Sequence, residues 1–152
     1  MYRKECSWRD VRNRRRKERF IKVEYVVYDM VGFDLASAML FSHVAYWFDN
    51  KENSEEIRAT LELKDYPGRK WVAFTRDEWA EQSMLSKKQA IRAIANLESL
   101  GLIKKVVAKY KGRPVIWISL EEDAAFRRYC YALESDEKET HKWIQESQDH
   151  PF

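Results

Sequence analysis

The chain has 152 residues, 45% hydrophobic and 14% aromatic, with four Gly and three Pro; this suits one domain with a real core and argues against disorder or low complexity. No apolar run reaches the ~18 residues of a membrane span, and none follows the charged N-terminus, so no transmembrane helix, membrane partner or secretory signal is expected. The net charge of +3 conceals an asymmetry: residues 1–22 carry ten Lys/Arg against three acids, and residues 121–152 carry nine acids against four Lys/Arg.

In chain order, residues 1–19 form a basic arm that includes Arg12, Arg14, Arg15, Arg16, Lys17 and Arg19. Such a cluster can neutralise phosphates and release counterions. It can equally be a solvated, solubilising segment. Phe20–Tyr28 is rich in β-branched and aromatic residues and predicts a strand. Gly32 breaks the chain and Asp34 is placed to cap a helix over Leu35–Phe48, which is apolar on most of its circumference. Ile57–Lys64 and Lys70–Phe74 predict two strands joined at the Asp65-Tyr66-Pro67-Gly68 turn.

The next stretch carries the sharpest signals. Thr75 predicts the cap of a short helix, Arg76–Gln82, with Glu78 three residues on. Met84-Leu85 makes a tight turn, and Ser86 caps a second helix, Lys87–Leu100. Its apolar residues Ala90, Ile91, Ile94, Leu97 and Leu100 recur at threes and fours, the first four forming the expected buried face, and it stops at Gly101. Leu102–Tyr110 and Val115–Leu120 predict two strands around the turn Lys111-Gly112-Arg113-Pro114. Helix, tight turn, helix, strand, turn, strand is the order of a winged helix-turn-helix. A short helix over Ala124–Leu133 and another through His141–Ile144 are expected after it. The fold class is therefore α+β, with an extra N-terminal strand, a long apolar helix and a C-terminal helix around the head. The domain spans 20–133, and 134–152 forms an acidic tail.

A helix that reads a groove must present side chains that reach phosphates and base edges. Opposite the expected buried face stand Lys87, Lys88, Gln89, Arg92, Ala93 and Asn96. Ala93 would let the helix sit deep. Ser86 and the amides beside it can hold a phosphate. The tip of the second hairpin adds Lys109, Lys111 and Arg113, and Tyr110 could pack on a sugar. The expected partner is double-stranded DNA, and a two-fold homodimer would set two such helices on successive turns.

The segment TRDEWAEQSMLSKKQAIRAIANLESLGLIKKVVAKYKGRPVIWISL resembles the winged-helix module of plasmid and phage replication initiators. The resemblance is carried by Thr75 to Ala80, Ser86 to Lys88, Leu97 to Ile103 and Trp117 to Leu120, and upstream by a long apolar helix ending in Tyr46-Trp47. It covers roughly residues 20–120 and implies a short initiator or a stand-alone accessory protein, with transcription regulators sharing the same head.

Nothing points to an enzyme or to a cofactor. His43, His141 and His150 are scattered, and His43 reads as a core histidine on the apolar helix. No glycine-rich phosphate loop, nucleophile elbow or zinc-ligand spacing occurs. Cys6 and Cys130 stand too far apart in sequence to suggest a disulfide framework, which fits a cytoplasmic protein. The second function class is a protein-binding winged helix, such as a phage factor docking on a replication or host protein through exposed aromatics.

Overall fold

The computed structural model describes residues 21–49, 69–110 and 112–149. Its first element, α1 (Tyr25–Met30), is a helix where the sequence predicts a strand. Val27, Met30 and Val31 recur at spacings of three and four, and all three are buried. A helical turn gathers them on one side, whereas a strand would divide them between two faces. Packing of α1 on its neighbours outweighs the weak strand preference of its valines and tyrosines.

The apolar helix α2 (Leu35–Asp49) forms as expected. Ala38, Leu40 and Val44 are fully buried, while Leu35 and Tyr46 are more than half exposed. The strand β1 (Val72–Phe74) follows, then α3 (Arg76–Gln82), α4 (Lys87–Ser99), β2 (Ile103–Tyr110), β3 (Arg113–Leu120) and α5 (Glu122–Asp149). The strands form one antiparallel sheet in the order β1-β3-β2. Val72 faces Ile118 across the first pair, and Ile103 faces Leu120 across the second. The expected hairpin partner of β1, Ile57–Lys64, lies outside the described residues; among the described strands β1 pairs with β3, the second wing strand. The order α2-β1-α3-α4-β2-β3 is that of a winged helix-turn-helix.

The wing turn is tighter than expected. Tyr110 faces Arg113, so Arg113 and Pro114 belong to β3 rather than to the turn. Pro114 is tolerated in this central strand because β1 reaches only Ile116 through Ile118, leaving no ladder partner for a missing N–H on that side.

Three helices close with the same backbone hydrogen-bond pattern. At Gly32, Met84 and Gly101 the backbone is left-handed, with φ of 82°, 57° and 73°. In each case the next amide reaches back across the last turn, as in Phe33 to Tyr28, Leu85 to Ala80 and Leu102 to Leu97. This is the Schellman closure, which favours glycine at the left-handed position. Met84 adopts it with a side chain, because the turn between α3 and α4 must close in two residues. Met84→Gly should therefore raise stability by about 1 kcal/mol, the left-handed penalty of a non-glycine residue. A urea midpoint that fell in the variant would show that the Met84 side chain contributes more than its conformation costs.

The main core lies between α1, α2, α4, α5 and the inner face of the sheet, with Leu40, Ile94, Leu97, Leu102 and Ile118 at its centre. Trp79 also sits there, fully buried, its indole N–H donating to the Ile116 carbonyl at 2.9 Å. His43 packs edge-on to Trp79 and accepts a hydrogen bond from Trp47 at 2.9 Å, as suits a core histidine. The outer face of the sheet carries a smaller cluster of Trp71, Val115 and Trp117.

The two short C-terminal helices of the sequence reading are one helix. Glu122 through Asp149 contains neither Gly nor Pro, and the polar stretch 134–140 holds Glu134 four residues before Lys138, a helix-supporting order. Polarity there reflects an exposed helix surface, not a break. Among the described residues no helix is long and apolar enough to cross a membrane.

Candidate nucleic-acid interface

Two caps set the geometry of the head. Thr75 accepts from the Glu78 amide at 3.2 Å and opens α3. Ser86 opens α4 with a full capping box: its hydroxyl accepts from the Gln89 amide at 3.2 Å, and the Gln89 side-chain carbonyl accepts from the Ser86 amide at 2.9 Å. The box satisfies two of the otherwise orphaned amides of the segment. It also fixes the Gln89 side chain at the start of α4, with its amide N–H groups still able to donate outward.

The rotation of α4 about its axis differs from the expectation. Its buried residues are Ala90, Ala93, Ile94 and Leu97, whereas Ile91 is 45% exposed. The stripe still repeats at threes and fours, but it is turned toward Ala93 because α2 packs along that side. Ala93 is thus a core contact and not a groove-facing residue. Asn96 is half-buried on the same side and donates to the Ser37 hydroxyl at 2.8 Å.

Ser37 is the centre of a small network. Fully buried, it accepts from Asn96 and donates its hydroxyl to Asp34, whose carboxylate also takes the Ser37 amide at 3.2 Å and the Arg92 guanidinium at 3.2 Å. The Ser37 hydroxyl, then Arg92 and the Ser37 amide, hold the Asp34 carboxyl below its ordinary 3.8 against the opposing effect of burial. A lowered carboxylate contributes stability above its unfolded value and loses it as pH falls through the native one. Asp34→Asn should cost about 1 kcal/mol at neutral pH. That difference from the parent should shrink once the pH drops below 3.8, in urea midpoints followed across the acid range. A difference constant with pH would mean that the charge of Asp34 is irrelevant to the network.

What α4 offers to solvent is Lys87, Lys88, Gln89, Ile91, Arg92 and Ala95 near its start and middle. Lys87 pairs with Asp77 at 2.7 Å, both about two-thirds exposed. An ion pair this exposed is weak and easily exchanged for a phosphate. Arg92 is 61% exposed and tethered by Asp34, which holds its guanidinium beside α2. Glu98, the acid at the far end, accepts the Lys105 amide at 3.0 Å and so joins α4 to the start of the wing. Hydrophobicity alone places Ile91 in the buried face and leaves Ala95 unassigned. Only the position of α2 reveals that they face outward.

At the wing, Lys109 and Arg113 are exposed on either side of Gly112, whose φ of 79° turns the chain. Tyr110 packs edge-on against Trp117, ring centroids 5.6 Å apart, and Trp117 donates to the Ala108 carbonyl at 3.3 Å. The wing is thereby stiffened by its own aromatics close to the tip. Lys111 and the arm residues Arg14, Arg15 and Arg16 lie outside the described residues.

No family model matches the chain, and no curated protein matches it. Among solved structures, it is similar to a possible transcriptional regulator from Methanosarcina mazei Go1, at TM-score 0.48 and 10% identity over 80% of this chain and 85% of that one. It is also similar to the N-terminal domain of a DNA-binding protein, at TM-score 0.44 and 18% identity over 84% of this chain and 92% of that one.

Proposed function

We propose that the protein binds double-stranded DNA as a regulatory or replication factor of the phage or plasmid kind, reading a major groove with α4 and gripping the backbone with the wing. The observation that carries this is the capped helix-turn-helix that leads directly into a cation-tipped hairpin. Lys87 and Lys88 stand exposed at the start of α4, and Lys109 and Arg113 at the wing tip. Lys88 and the free amide of Gln89 supply polar groups for base edges, and Ile91 and Ala95 supply apolar contacts of the kind a thymine methyl takes. Ser86 and the amides behind it can receive a phosphate. Arg92 joins them by exchanging Asp34 for DNA, while Asn96 serves mainly to orient α4 on α2. Lys111 extends the wing cluster, and Arg14, Arg15 and Arg16 add backbone contacts from the arm.

The test is binding to duplex DNA over a salt series, with selection from random sequence at the highest salt that retains the complex. Recovery of a motif supports sequence reading, and a palindromic motif would identify a homodimer as the reader. Binding that is absent or featureless would overturn it. The exposed Phe126 and Tyr131 of α5, 69% and 77% accessible, would then favour a protein partner for the same fold.

A further inference from the structure

A cleft of about 600 Å³ between α1 and the middle of α5 takes no part in the proposed DNA surface. Three aromatic residues stand around it, Tyr25, Phe33 and Trp143, each more than half exposed. Single exposed aromatics are ordinary, but three at one opening form a patch that asks for an occupant. Three carboxylates, those of Asp29, Asp136 and Glu139, line the same space, and among the described residues that line it there is no Lys or Arg. Among the described residues, Asp136 Oδ2 is enclosed without a hydrogen-bond donor. Burial, then Asp29 and Glu139, push the Asp136 carboxyl upward, as expected of a site short of positive charge.

Aromatic faces beside carboxylates are the lining a guanidinium selects: the rings attract the cation and the carboxylates pair with its N–H groups. The chain itself carries such groups close by. Residues 1–20 contain seven arginines and two lysines against three acids. The described chain begins at Ile21, Glu24 accepts a hydrogen bond from Tyr129 of α5 at 2.9 Å, and Tyr25 is already a wall of the cleft. Arg19 precedes that wall by six residues and Arg14 by eleven, so at up to ~3.3 Å per residue the whole cluster is within reach. A second copy's α5 is a poorer occupant, because its acids outnumber its Lys and Arg two to one and would meet like charge.

We propose that the α1–α5 cleft receives arginine side chains of the chain's own residues 1–20. Docked there, the arm is withheld from other anions, and salt or a competing polyanion releases it. The contact stands apart from the DNA reading; only its effect on DNA affinity rests on that reading.

The experiment is limited trypsin digestion of the full chain, following release of the N-terminal arginine peptides by mass. In low salt, D136N/E139Q and, separately, W143A should each speed that cleavage by about fivefold or more. High salt should do the same to the parent protein, which keeps the test meaningful if a variant folds poorly. Equal rates in parent and variants at low salt, with no effect of salt on the parent, would overturn the proposal. Protection that grows with protein concentration would also overturn it, by assigning the arm to the cleft of another copy. Because no DNA is present, a failure here leaves the DNA reading standing.

Discussion

Trp79→Ala should lower stability by roughly 3–5 kcal/mol, the cost of emptying a large aromatic site in a packed core. Trp79 is fully buried where α3, α2 and the sheet meet. Its ring packs edge-on against Phe74 with centroids 4.9 Å apart and against His43 at 6.2 Å, and its N–H donates to Ile116. Removing it loosens the first helix of the helix-turn-helix from the strand that anchors the wing. Against a typical total of about 5–15 kcal/mol this is a large share, so the variant should melt well below the parent. Trp79→Phe keeps one aromatic ring but loses the hydrogen bond and part of the filled volume, so its stability should fall between those of the parent and the alanine variant. Urea unfolding followed by far-ultraviolet circular dichroism reads both. A loss below about 1.5 kcal/mol for the alanine variant would mean that the surrounding aromatics collapse into the space.

The second large effect is on binding. K88A/K109A/R113A removes one cation from α4 and two from the wing. If each holds a phosphate, the slope of log affinity against log salt should fall by roughly 2.7, and affinity at 0.1 M salt by about tenfold per contact. The triple variant also takes the formal net charge from +3 to neutrality, so charge alone needs a control. R127A/K138A/K142A makes the same change on α5, where all three side chains are exposed. Affinity should survive this control within a few fold. Equal losses in the two variants would mean attraction by overall charge, and the assignment of α4 and the wing would fall.

The head was legible in the sequence because its boundaries are set locally. Thr75, Ser86 and Gly101 each do their work within four residues, and that is the range over which a sequence reader sees clearly. The identity of α1 was not legible, since its valines and tyrosines suit a strand and only α2 and α5 make a helical turn worthwhile. The rotation of α4 was likewise hidden. Choosing Ile91 over Ala93 as core follows hydrophobicity, but the contact with α2 is decided some fifty residues upstream, and it selects small side chains for close approach. For the same reason Asn96 reads as an outward residue in the sequence; its partner, Ser37, lies 59 positions away. The continuity of α5 is not legible either, because a charged stretch between two apolar patches reads as a break.

The sheet has a consequence for how the protein behaves in crowded solution. Among the described residues its two borders are β1, three residues long, and β2, which carries Lys104, Lys105 and Lys109. A long, flat, apolar border strand recruits strands from other molecules and seeds aggregation. One border here is too short to serve as a template, and the other carries three lysines whose like charges oppose its pairing with a second copy. Concentrated preparations should thus stay dispersed so long as those ammonium groups keep their charge. Chemical acetylation of lysines, which leaves the backbone untouched, would be the treatment that turns the wing into an adhesive edge.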